Sequence, residues 1–414
     1  MLSYIIGILV MVVFIMISVA LHELGHMIPA KRFGVYVPQY MVGFGPTLWS
    51  KTIGETEYGI KWILLGGYVR LAGMFRPAPP GVATERKDGR PTLAQEAREA
   101  SAEELPAGRQ HQAFYRLSVP KKLTVMLGGP VVNLVMSVLL FAFIILGVGL
   151  NAPSTTVARV PECFSPDGTC SAEHSVRTPA SEAGIQSGDQ IVSWNGQVTD
   201  TWKDITGAIE RAGKQPSTVV VNRDGQELTL QLQPALFGGA YKAGIVSQLQ
   251  RQRGGLGQVA DVSWATFTGT AKVVFALPKA VWDTAVGTFS GQERDPNSVL
   301  SIVGVGRLAG EVSAEGGSVT FLDRMTMMLA MWASLNMALF VFNLIPLPPL
   351  DGGHVAGALW EGVRRQFNRV RGRRDPGAAD TARLVPLTYA VSLALVAMTV
   401  VLVVADIVNP IHLP

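Results

Sequence analysis

Four long apolar windows punctuate the chain, at residues 2–21, 123–150, 325–350 and 384–404, with polar and charged positions returning between them. Each is about long enough for a helix to cross a hydrocarbon core of ~30 Å, which takes ~20 residues. The first runs from Leu2 to Leu21 without a charge and then meets His22, Glu23 and His26 in quick succession. It lacks a basic leader and a small-residue cleavage site, so a retained span is expected rather than a signal peptide. Elsewhere the pattern changes type. Residues 58–74, YGIKWILLGGYVRLAGM, are apolar and strand-forming but broken at Gly66-Gly67, too short and interrupted for a spanning helix. A hairpin dipping into the bilayer fits them, provided protein or water satisfies its backbone. Residues 77–110 are rich in Pro, Ala, Glu and Arg, and read as a flexible cytoplasmic insertion with a short helix near 93–104. Residues 263–291 alternate at helical spacing, with Lys279 and Trp282 as interfacial anchors, predicting membrane-surface helices before the third span.

One stretch has the pattern of a small soluble fold. From residue 179 a short helix leads to a turn at Ser187-Gly188-Asp189, then a strand at 191–194 and an Asn195-Gly196 turn. A helix near 202–211 and a hairpin around Asp224-Gly225 follow. The run AGIQSGDQIVSWNG resembles a PDZ domain, a family that binds extended peptides by strand addition. A small α+β spacer is the alternative.

Composition and charge then set the compartment. Of 414 residues 48 % are hydrophobic and 16 % charged, a balance that suits a membrane protein better than a soluble one. The basic residues cluster beside spans. Lys31, Arg32, Lys51, Lys61, Arg70 and Arg76 follow the first; Arg364, Arg365, Arg369, Arg371, Arg373, Arg374 and Arg383 lie between the third and fourth. Because Lys and Arg favour the cytoplasmic side, both connections are expected there, with both termini and residues 151–324 outside. Beside a span the arginines are topogenic and face anionic lipid; no nucleic-acid partner is expected. Cys163 and Cys170 both fall in the outside segment, where they can bridge or remain free thiols.

The chemistry starts at His22-Glu23-Leu24-Gly25-His26, an H-E-x-x-H motif. On a helix, positions i and i+4 share a face, so His22 and His26 can hold one Zn²⁺ while Glu23 stands beside it as a general base. A polar helix end with solvated imidazoles is the plain alternative. A third protein ligand is needed, and the third window offers NLIPLPPLDGGH at 343–354. Its prolines break the helix, which at membrane depth is tolerated only around a cavity. With the topology above, His26 and Asp351 reach the same depth. Asp351 is the better candidate and His354 the rival; His111, His174 and His412 lie far off in sequence.

Together, H-E-x-x-H in a first span, a central PDZ-like segment and NLIPLPPLDGG in a later span resemble the site-2 protease family. Within it they are most similar to the RseP-like bacterial branch of intramembrane zinc metalloproteases, of actinobacterial type. GFGP (43–46), LLGGYVRLAGM (64–74), GGPVVN (128–133) and SIVGVGRLAGE (301–311) extend the resemblance over nearly the whole chain. It implies one catalytic zinc on His22, His26 and Asp351 with Glu23 as base. It also implies Asn343, Asn133, Gly66 and Gly67 in substrate handling, and residues 60–71 as a membrane-re-entrant β-loop. The implied activity is regulated intramembrane proteolysis of single-span membrane proteins, such as anti-sigma factors or signal-peptide remnants, after a prior cut outside. A membrane zinc transporter and an inactive PDZ-bearing scaffold are the other classes.

The expected fold is a polytopic α-helical membrane protein with about four transmembrane helices, a membrane-re-entrant β-loop and one extracytoplasmic PDZ domain. Its parts are a first span at 1–30, a β region at 31–76, the insertion at 77–110 and a second span at 122–150. The PDZ domain is expected at 155–250, interfacial helices at 260–320, a third span at 325–350 and a fourth at 384–406. The expected home is a bacterial cytoplasmic membrane.

Overall fold

The structure is a computed structural model that describes residues 1–164, 170, 176–290, 299–314 and 319–410. His174 and His412 lie outside the described residues. The chain begins with helix α1 (Leu2–Arg32), strands β1 (Gln39–Ile53) and β2 (Thr56–Arg70), and helices α2 (Leu93–Glu103) and α3 (Val119–Ala142). Next come β3 (Leu150–Arg159), β4 (Cys163–Phe164), β5 (Val176–Arg177), α4 (Pro179–Glu182), β6 (Gln190–Trp194) and β7 (Gln197–Val198). Then follow α5 (Trp202–Ala212), β8 (Ser217–Arg223), β9 (Gln226–Leu232), β10 (Ala235–Phe237), β11 (Ala240–Lys242) and β12 (Val246–Gln252). The chain closes with α6 (Leu256–Ser290), α7 (Ile302–Ala314), α8 (Phe321–Asn343), α9 (Asp351–Val370) and α10 (Val385–Val408). Two compact units result, residues 1–144 with 256–414, and residues 145–255.

In the first unit, Leu2–Arg32, Val119–Val148, Phe321–Asn343 and Thr381–Val408 are long and apolar enough to cross a membrane. Their outer faces carry bare hydrophobics, among them Leu9 and Val13 on α1 and Leu393, Val396 and Val400 on α10. Such stripes are stable against lipid and costly against water. The chain is a multi-pass membrane protein. Inside, Met11, Ile15, Ala309, Val312 and Met328 join α1, α7 and α8 in one core. A polar clamp adds direction: Ser18 Oγ accepts from Trp332 Nε1 at 2.7 Å and Asn336 Nδ2 at 3.0 Å. Without competing water, such bonds tie helix to helix.

Strands β1 and β2 are long and fold back on each other. Residues 47–53 pair with 56–61, while residues 39–42 lie between 57–60 on one side and 67–70 on the other. Residues 67–70 are therefore an edge. The Tyr40 hydroxyl donates to the Ala20 carbonyl at 2.7 Å, pinning this sheet to α1 two residues before His22. The far part of the hairpin exposes Phe44, Leu48, Trp49, Trp62 and Ile63.

Residues 77–110, read from composition as a flexible insertion, are anchored. Arg98, 4 % exposed, donates to both Asp380 carboxylate oxygens at 2.8 and 2.9 Å, and Arg76, immediately before the segment, donates from Nη1 to the Ala378 carbonyl at 2.6 Å. Composition missed this because the partners lie some 280–300 residues away in sequence. Across 263–291, read from its periodicity as membrane-surface helices, the 35-residue α6 (256–290) packs against α3, α8 and α10. Periodicity marks a helix but not the surface it covers.

The second unit is built on a sheet of order β12-β3-β6-β8-β9, with β7 paired to β6. Its core holds Trp194, Ile191, Ile205, Val219 and Val221, and Thr201 and Asp204 form a capping box at the start of α5. Cys163 and Cys170 are disulfide-bonded with their Cα atoms 5.9 Å apart; residues 165–169 between them lie outside the described residues. Buried Asp189 accepts from Arg223 Nε and Nη2, both at 2.7 Å, and from the Gln186 amide at 2.8 Å. Burial opposes its ionisation, but Arg223 and that amide outweigh burial and hold the carboxyl below the usual carboxylate range. The pair therefore stabilises this unit above the unfolded carboxyl pKa of ~3.9, and loses its effect as pH falls through the lower folded value. Arg223→Ala, leaving the buried carboxylate unpaired, is expected to destabilise this unit at neutral pH. Hydrogen exchange at Ile191 and Val221 would read it; unchanged protection would contradict this account.

Candidate active site

Helix α1 runs through the motif for 31 residues, so His22 and His26 sit one turn apart on one face. Asp351 comes from another element. Helix α8 stops at Asn343, the proline-rich residues 344–350 turn the chain, and Asp351 opens α9. The three side chains meet: His22 Nε2 lies 3.2 Å from His26 Nε2, and Asp351 Oδ2 lies 3.2 Å and 3.4 Å from them. For Zn–N bonds of ~2.0–2.1 Å, donors at tetrahedral corners stand about 3.3 Å apart. The triangle has that edge.

The surrounding bonds say which lone pairs point inward. His26 Nδ1 donates to the Val125 carbonyl at 2.8 Å, which fixes the tautomer and leaves Nε2 without a proton. His22 Nδ1 lies 3.2 Å from the Asn133 carboxamide. Amide O and N are interchangeable by a flip, and with its oxygen turned to the ring Asn133 accepts the Nδ1–H. Asp351 Oδ2 is buried and faces the two imidazole Nε2 atoms. With Nδ1 carrying the proton on both rings, the three inward atoms are all acceptors, and a cation at their centre removes their mutual repulsion. The donor set of two imidazoles and a carboxylate suits zinc.

Helices α1 and α3 approach closely to make this possible. A Cβ on Gly25 would lie 2.5 Å from the Gly128 carbonyl oxygen, and one on Gly129 would lie 2.2 Å from His26 Nε2 and 2.8 Å from His22 Nε2. Gly129 and Asn133, four apart on α3, thus back the two imidazoles.

Glu23 stands outside the triangle and lines a cavity of about 280 Å³ with His26, Asp351, Val69, Met126 and Pro349. His354 lines the same cavity but contributes no atom to the donor group. The edge of β2 forms one wall: a Cβ on Gly67 would meet Val19 at 2.8 Å and Glu23 Cγ at 3.5 Å. Gly66 has φ +131°, and a Cβ there would fall 2.3 Å from the Phe44 ring. From residues 68–71 a groove of about 440 Å³ continues to Ala97 and Ser101 of α2 and to Glu104 just past its end.

His22, Glu23, His26, Asp351 and Gly67 therefore converge. Asn133, expected in substrate handling, is fully buried against His22. Asn343 ends α8 half-buried, with no hydrogen bond to any of these residues among those described. The Val125 carbonyl and the Gly129 contact escaped sequence reasoning, although GGPVVN stood out as a motif.

The profile of peptidase family M50 matches residues 10–374. Zinc metalloprotease Rip1 of Mycobacterium bovis is 32 % identical, with 99 % of each chain covered. Metalloprotease MmpA of Caulobacter vibrioides is 26 % identical over 87 % of this chain and 89 % of its own. Zinc metalloprotease RasP of Geobacillus kaustophilus is 25 % identical over 83 % and 86 %. A match of this extent, on a chain whose H-E-x-x-H helix meets a distant aspartate, has one reading: the chain belongs to peptidase family M50, the site-2 proteases, and is a zinc metalloprotease of the membrane.

Proposed function

We propose that this enzyme cleaves single-span membrane proteins, anti-sigma factors or signal-peptide remnants, after a first cut has removed their bulk outside. The observation that carries the reading is the donor triangle beside Glu23, opening on a cavity walled by a sheet edge. His22, His26 and Asp351 would hold the zinc. When bound, zinc supplies Lewis acidity to the scissile carbonyl and makes a water acidic enough to deprotonate near neutral pH. Glu23 takes that proton and passes it to the leaving amine. His26 and His22 are kept in the ligating tautomer by the Val125 carbonyl and Asn133.

A helical substrate hides its carbonyls in its own i to i−4 bonds. The edge at residues 67–70 runs beside Glu23, so an unwound segment can pair there by strand addition. Gly67 lets that segment lie close to Glu23, and Asn343 orients its far side. The exposed apolar part of the β1–β2 hairpin is read as re-entrant, seated in lipid. The buried Arg98–Asp380 pair joins the two basic connections and supports their lying on one side, the cytoplasmic one by the positive-inside rule. The termini and the 145–255 unit then lie outside. That unit, read as a PDZ domain, excludes substrates whose outside part is still bulky.

A bacterial strain carrying Glu23→Gln in place of the wild-type chain is expected to accumulate trimmed single-span fragments in its membranes. Quantitative membrane proteomics would register them. Membranes indistinguishable from wild type would overturn the substrate class.

A further inference from the structure

A cavity of about 710 Å³ lies between the segment around Arg76, α9 and the start of α10, apart from the donor triangle. Arg76, Arg364 and Arg383 line it, against one carboxylate, Asp380. That carboxylate is already engaged: Arg98 holds both its oxygens at 2.8 and 2.9 Å, and Arg383 holds one at 2.9 Å. Arg76 spends one nitrogen on the Ala378 carbonyl, while its Nε is buried without an acceptor. Arg364 is half-buried and has no ion pair or hydrogen bond among the described residues. The enclosure thus carries uncompensated positive charge in a concavity, where low-dielectric walls strengthen attraction for an anion.

Guanidinium forks match the oxygens of phosphate. The apolar side of the wall comes from Trp360, Leu384 and Leu387, the last two at the entry of the span Thr381–Val408, a level where headgroups and aromatic side chains meet. A topogenic role for these arginines requires only their charge on one side of the membrane; it does not require a cavity. We propose that this cavity binds a phosphate-bearing anion, presented as the headgroup of an anionic phospholipid or as free phosphate. Pro346 and Pro348 form part of its wall and belong to the turn that delivers Asp351, so an occupant braces that turn.

The test uses the purified full chain in detergent, titrated separately with dioctanoyl phosphatidylglycerol, dioctanoyl phosphatidylcholine and inorganic phosphate, with binding followed by calorimetry. Saturable binding of phosphatidylglycerol is expected, with none of phosphatidylcholine. Losing one charge-assisted fork should weaken it about tenfold or more in Arg364→Ala. Arg374→Ala removes the same charge outside the cavity and should leave it intact. Both variants are compared only at wild-type melting temperature, and Arg364→Lys, which keeps the charge without the fork, should fall between. Competition by inorganic phosphate identifies free phosphate as a sufficient source; binding of the lipid alone identifies the headgroup. Equal binding by wild type and Arg364→Ala, an equal loss in Arg374→Ala, or no saturable binding of either anion would overturn the proposal.

Discussion

Glu23→Gln is expected to keep its zinc and lose its proteolysis. The substitution preserves shape and leaves the donor triangle untouched, because Glu23 contributes no atom to it. What it removes is a group that can accept a proton beside the scissile bond. General acid–base catalysis of this kind contributes about 10²–10⁴-fold, so turnover of a single-span substrate in nanodiscs should fall by that factor. Zinc stoichiometry from elemental analysis should stay at the wild-type level. Turnover within tenfold of wild type would remove Glu23 from the role of base. Loss of zinc alongside activity would assign it a structural role instead.

Zinc content itself is the second large effect, and it separates three residues. Asp351→Ala takes away one of three donors, and metal affinity should fall more than the ~10–100-fold typical of outer-shell changes. His354→Ala should leave affinity unchanged, since the imidazole lines the cavity without joining the triangle. Gly129→Ala should cost about 10–100-fold, of outer-shell size, although it removes no ligand. Its methyl would fall 2.2 Å from His26 Nε2, so an imidazole must turn away or the helices must part. Zinc retained in Asp351→Ala but lost in His354→Ala would transfer the third ligand to His354. Wild-type affinity in Gly129→Ala would show that the helices yield at that contact.

The parts of this site legible in the sequence are those carried by local spacing. His22, Glu23 and His26 announce themselves because a helix repeats its face every fourth residue, and charge at the end of an apolar window is conspicuous. Asp351 was reachable only by adding topology, since nothing near residue 22 names a partner more than 300 positions away. Asn133 and Val125 show the limit. A polar residue inside a span signals a role, but whether it faces substrate or a ligand's far nitrogen depends on how α3 is rotated against α1. A backbone carbonyl carries no sequence signal at all. Residues 77–110 fail for a related reason, because their ordering contact, Arg98 with Asp380, is long-range and polar.

The contact between Gly25 and Gly128 also bears on how the enzyme lives with its lipid. With no side chain between them, α1 and α3 touch backbone to backbone at the level of the ligands. Spans answer a thicker or thinner bilayer chiefly by changing tilt. Where two helices touch backbone to backbone, no side chain lies between them to yield when tilt changes. Placing the histidines beside that contact holds their spacing steady as the surrounding bilayer changes thickness.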